Sequence, residues 1–207
     1  MDFVPFDTVG LSATDFDNFY QTYKALDQKF DIHPTGDIDF HLEDFESFRY
    51  YKDVHIRGSF VIKNAKTDCY ILFIELGYTA PNTGRGPSIN HKEYQVWALA
   101  YVKHNFGRVL IRPETLADKI IEIVHPIEID FKEDKAFSDT FYVLANDTDK
   151  AIPGIDRSFR NAVMDVRHDH FTIEIFDHTL IIGDRKLITP ERSVHLCEFV
   201  SRLCASC

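Results

Sequence analysis

Tyr94-Gln-Val-Trp-Ala-Leu-Ala-Tyr-Val-Lys103, His104-Asn-Phe-Gly107 and Arg108-Val-Leu-Ile-Arg-Pro-Glu114, running on to Val124, decide the fold. The first run is apolar on both faces, with Trp97 and Leu99 opposing Val96 and Ala98, which marks a central strand. His104 to Gly107 reads as a tight turn, and Val109 and Ile111 share one side of a second strand. Pro113 suits the first position of a helix, and Glu114 complements its dipole. Leu116, Ile120, Ile123 and Val124 then form a buried stripe, and His125-Pro126 ends the helix.

Upstream, Val54, Ile56, Phe60 and Ile62 alternate with polar residues, which predicts a half-buried strand with a bulge at Gly58. Tyr70 to Tyr78 is apolar on both faces and predicts its central hairpin partner. Residues 79–92 read as one long loop. Its Gly84-Arg85-Gly86 could offer N–H groups to an anion, although the ending of a P-loop is absent and a hairpin tip is the plainer reading. Residues 14–30 form an amphipathic helix, capped by Ser12 or Thr14, with Phe16, Phe19, Tyr20, Tyr23, Leu26 and Phe30 on its apolar face. Residues 37–52 are acidic and aromatic and fit neither period.

Downstream, Ile127, Ile129 and Phe131 alternate with Glu128 and Asp130, and Phe137 to Leu144 predicts another strand. A helix follows Pro153-Gly154, with Phe159 and Val163 inward. His170–Phe176 and Thr179–Ile182 make a second hairpin. A last helix, with Thr189 as cap and Pro190 first, buries Leu196, Phe199, Val200 and Leu203. The fold class is α+β: a mainly antiparallel sheet built from hairpins, with helices packed on it and at both chain ends. Residues 1–52 are expected to be an N-terminal helical segment packed on the main body, and 53–207 the α+β domain.

Composition narrows the function. The 207 residues include 18 Phe and 9 Tyr and are 44% hydrophobic, which excludes disorder. A net charge of −10 repels phosphate backbones and anionic lipid, so no nucleic acid partner is expected. The N-terminal run lacks a secretory signal, and nothing approaches a membrane span. A soluble cytoplasmic protein is expected. Cys204 and Cys207 have Cys-x-x-Cys spacing, but Cys69 and Cys197 form no second pair to complete a zinc site.

Phe106, Leu110-Ile111-Arg112-Pro113-Glu114, Ile129-Asp130-Phe131, Phe137-Ser138, the helix around Phe159, the hairpin and the terminal helix together resemble a group of uncharacterised bacterial proteins. The resemblance covers the C-terminal half. It implies a shared fold and a bacterial source, carries over no catalytic residue, and includes relatives that look membrane-attached.

His168-Asp169-His170 is the best metal-like string, since His168 and His170 share a face if extended. Arg167 beside it disfavours a cation, and a solvated strand start is the plainer reading. Arg112 and Glu114 flank Pro113, as an ion pair or as the wall of a small-molecule site beside Arg85. Glu128 and Asp130 share a strand face, and such a pair can do acid–base work when burial separates its members. No Gly-x-Ser-x-Gly elbow is present. The reading is a non-enzymatic ligand- or protein-binding or regulatory module, without a cofactor, that contacts a protein or small molecule through Arg85, Arg112 and Glu114. The alternative is a metal-dependent hydrolase centred on His168, Asp169 and His170. A homodimer through helix 14–30 is a third expectation.

Overall fold

The structure, a computed structural model, describes residues 4–63, 67–80, 89–113 and 126–206. In chain order the first elements are α1 (Ala13–Phe30), β1 (His33–Pro34), β2 (Asp53–Ile62), β3 (Cys69–Ala80), β4 (Ile89–Tyr101) and β5 (Arg108–Pro113). Then come β6 (Ile127–Glu128), α2 (Lys135–Ser138), β7 (Phe141–Ala145), α3 (Thr148–Gly154), α4 (Arg157–Met164), β8 (Thr172–Phe176), β9 (Thr179–Gly183) and α5 (Pro190–Ser206). The described strands form one sheet in the order β1-β2-β3-β4-β9-β8-β5-β7-β6. Every pairing is antiparallel. The α+β class expected from the two apolar rhythms is the one observed, with helices near both ends.

The sheet has two covered faces. Ile71, Phe73, Val96, Ala98, Ile173 and Ile182 face α1 and α5, which also pack on each other. Phe19 and Leu26 of α1 are fully buried there. Each such side chain contributes roughly 1.5–3 kcal/mol on burial. Phe16, Tyr20, Tyr23 and Phe30 of the same face pack against this core and are partly buried. Ser12 caps this helix, its Oγ accepting the Asp15 N–H at 3.2 Å.

Leu72, Ile74, Leu76, Trp97, Leu99 and Ile181 face the other way. A strap of chain, residues 35–52, covers them with Phe40, Leu42, Phe45 and Phe48 and contains one 3-10 turn at Leu42–Asp44. The strap has no sequence period because its aromatic residues are anchors on an irregular path.

Several expectations are corrected. Phe60 and Ile62 lie on the helix face, whereas Ile56 packs on the strap face. The register shifts between Ile56 and Gly58, so one extra residue, Arg57, turns the strand over. β4 and β5 are not neighbours: the β8–β9 hairpin lies between them. Residues 102–107 cross the tip of that hairpin, where Phe106 N–H donates to the Asp177 carbonyl at 2.9 Å. Pro113 is the last residue of β5, opposite Phe141, rather than a helix start. Residues 137–138 are helical, because Asp134 caps α2 through the Phe137 N–H. α3 escaped the sequence reading because Pro153 lies inside it.

Pairing continues through Thr79↔Asn90 and Ala80↔Ile89, so the ends expected to be loop are strand. Residues 81–88, with Arg85, and 114–125, with Glu114 and the helix expected there, lie outside the described residues.

Gly183 sits under the indole of Trp97, where an added Cβ would lie 2.4 Å from Cδ2. Trp97 is fixed in turn by its Nε1–H donating to Gln95 Oε1 at 2.8 Å. Gly183→Ala is therefore expected to destabilise the protein by about 1–3 kcal/mol, measured by urea unfolding followed through Trp97 emission.

Candidate functional site

The strap does not lie flat along its whole length. Between it and the start of β2 is an open groove of about 530 Å³. Its apolar wall is Ile38, Phe40, Phe48, Tyr51, Val54 and Ile56. Asp37, Asp39 and Glu43 stand exposed on its rim, with His41, Arg49 and His55. Two of these side chains are already engaged: Arg49 lies 2.6 Å from Glu46, and His55 lies 3.3 Å from Asp7. Three exposed carboxylates against the one remaining imidazole, His41, leave the rim acidic.

Asp39, His41 and Glu43 bring one ligand atom each within 4.8 Å of one another. Among the described residues they are the group whose donors could meet on a cation. All three are exposed, and His41 Nδ1 already lies 3.6 Å from each carboxylate. Their proximity follows from this local ion pairing.

Beneath the groove lies a polar layer. Tyr51 Oη donates to Glu93 Oε1 at 2.7 Å, and Gln95 Nε2 donates to the same oxygen at 2.8 Å. Burial, reinforced by Glu93, pushes the Tyr51 phenol up to about 12. Phe48 packs edge-on to Trp97 at 4.9 Å, so the groove wall touches the chain's one tryptophan.

The strap is fastened by Glu174, which is fully buried in β8. Its two oxygens accept the backbone N–H groups of Glu46 at 2.8 Å and Ser47 at 3.0 Å. Arg108 adds a contact at 3.2 Å, donates to the Asp44 carbonyl at 2.7 Å and stacks 4.5 Å over Phe176. Burial pushes the Glu174 carboxyl above its ordinary range, against these donors. A second fastening joins the lead to the sheet. Buried Arg57 donates through Nε to Glu75 at 2.9 Å and through Nη1 to Asp7 at 2.7 Å, and Lys92 reaches Glu75 at 2.7 Å. Burial opposes ionisation of Glu75, but Lys92 and Arg57 outweigh it and hold the carboxyl below its usual range.

The residues singled out from sequence lie elsewhere. His168, Asp169 and His170 fall in a turn, since β8 begins only at Thr172. Both histidines are exposed, and the Asp169 carboxylate goes to His195 Nε2 at 2.8 Å. Arg112 stacks 5.3 Å from the Tyr142 ring, its cross-strand partner. Through Ile111↔Ile173, Ile173↔Ile182 and Ile182↔Ala98, that end of β5 lies level with the middle of β4, away from its Ile89 end. Glu128 and Asp130 are exposed. Cys69 and Cys197 are buried, and burial pushes the Cys197 thiol far up. The Phe131 and Ser138 motif is structural, with the Phe131 N–H donating to Ser138 Oγ at 2.9 Å and Arg160 4.6 Å over the Phe131 ring.

The groove and the role of Glu174 went unread because a strap without periodicity walls the one and supplies the N–H partners of the other. The available signal was polarity in the wrong place: Glu174 is the one charged residue of its strand and stands between Ile173 and Ile175.

This geometry defines an α+β protein with a wide antiparallel sheet, one face under helices and part of the other, over β3, β4 and β9, under a fastened strap. No protein-family model matches the chain, and no curated protein matches it. Among solved structures, the crystal structure of the mycobacterial trehalose monomycolate transport factor A, TtfA, is similar, with a TM-score of 0.54 at 7% identity. The similarity covers 94% of this chain and 97% of that one, and at such identity it speaks for the fold alone. No described helix is long and apolar enough to cross a membrane.

Glu174→Gln leaves one acceptor for two buried N–H groups, so it should cost about 1–3 kcal/mol at neutral pH in urea unfolding. The native Glu174 carboxyl binds its proton more tightly than the unfolded one, so the parent's advantage over this variant should widen as pH falls toward about 4. Glu75→Gln should behave oppositely, its deficit shrinking below about pH 4 as the parent loses the Arg57 and Lys92 pairing.

Proposed function

We propose that this protein is a non-enzymatic binding module whose ligand surface is the groove between the strap and β2. The observation that carries the reading is the pairing of an apolar wall, Ile38, Val54 and Ile56 among it, with the exposed carboxylates of Asp37, Asp39 and Glu43, which outnumber the one imidazole, His41, between them. That combination favours an apolar ligand that bears positive charge. The polar side chains at the groove include no nucleophile held by a general base, which is why binding rather than turnover is the reading.

The test is a titration with dansylcadaverine, an aromatic cation, followed by dansyl fluorescence and by Trp97 emission through its contact with Phe48. Saturable binding is expected, falling as salt rises. Asp39→Asn combined with Glu43→Gln should weaken it by about fivefold, or roughly 1 kcal/mol for two exposed charges. Binding that never saturates, or that ignores both salt and the double substitution, would sink the reading.

A further inference from the structure

The groove is touched by Val54, His55 and Ile56 in succession, and a second cleft of about 430 Å³ by Ile56, Arg57, Gly58 and Ser59 in succession. Consecutive strand residues point to opposite faces. A cleft lined by an unbroken run therefore opens on the strand's edge, not on either face. β2 is the outermost long strand, and β1 covers only Phe60 and Val61. The Arg57 and Ser59 carbonyls are also taken, by the N–H groups of Asp7 and Thr35. Among the described residues, no backbone group from outside the sheet bonds to the run Asp53–Ile56.

That run lacks the usual protection of an edge. Asp53-Val54-His55-Ile56 contains neither lysine nor proline, and Val54 is 37% exposed. The bulge at Arg57 limits it on one side. Exposed Asp37, Asp39 and Glu43 line the groove beside it, and exposed Asp53 begins it. A row of free backbone groups beside apolar pockets and an acidic rim selects a strand that carries lysine or arginine between apolar side chains.

We propose that Asp53–Ile56 is an interaction edge that takes an extended basic peptide segment by β-strand addition, with the segment's apolar side chains entering the groove. This rests on the binding reading above and names the partner's chemistry and its mode of attachment.

The probe is a short fluorescein-labelled peptide of alternating lysine and valine, with a control N-methylated at alternate residues so that it cannot complete a ladder. Anisotropy should show saturable binding of the first and at least about tenfold weaker binding of the control. Hydrogen exchange should show new protection of the Asp53–Ile56 amides. Val54→Lys, at an exposed position, should retain the parent's circular dichroism and melting and weaken the peptide by a similar factor. Equal binding of both peptides while dansylcadaverine still binds would overturn the strand addition and leave the groove reading standing. Failure of all three probes would overturn both. A doubled mass for the free protein, returned to a single chain by Val54→Lys, would assign the edge to a second copy and overturn the peptide proposal.

Discussion

Ile71 and Phe73 alternate with Leu72 and Ile74 along β3, and Val96 and Ala98 alternate with Trp97 and Leu99 along β4. Water must therefore be kept from both sides of the same two strands. One side is served by α1 and α5, whose apolar stripes are regular and self-supporting. The other is served by a segment with little secondary structure, which stays in place only if its backbone groups find partners. Glu174 meets that need from inside the sheet by accepting two strap N–H groups. A buried carboxylate is a costly fastening and is tolerable only when fully bonded. The same arrangement leaves the strap's far end standing off β2, which is where the groove opens.

Arg57 and Glu75 repeat the solution on the helix side. A bulge turns β2 over, brings Arg57 against Glu75 and draws the lead in through Asp7. Buried pairs of this kind contribute less to stability than to specificity of register. The register shift at Arg57 puts Ile56 on the strap face, where it lines the groove, and Phe60 and Ile62 on the helix face.

Much of the architecture was legible because it obeys a period. The runs 54–62, 70–78 and 94–102, the helix from Ser12 and the terminal helix from Pro190 follow from spacing and caps. Topology was not legible, since nothing in Tyr94–Arg112 says that a hairpin from residues 172–183 will separate its two strands. The candidate site was the least legible part. Phe40, Phe45 and Phe48 anchor an irregular path, and His168-Asp169-His170 drew attention by composition while its carboxylate serves His195. Asp37, Asp39 and Glu43 looked like ordinary surface charge until the apolar wall beside them was known.

The insertion of β8 and β9 between β4 and β5 bears on how the chain reaches this state. As the chain leaves the ribosome, β4 and β5 emerge long before the strands that will separate them. Each must wait with one flank unpaired, or pair wrongly with the other across the short link 102–107. Contacts so distant along the chain slow folding and leave strands open to association meanwhile. A nascent chain of this protein would then depend on its last third to seal the middle of its own sheet.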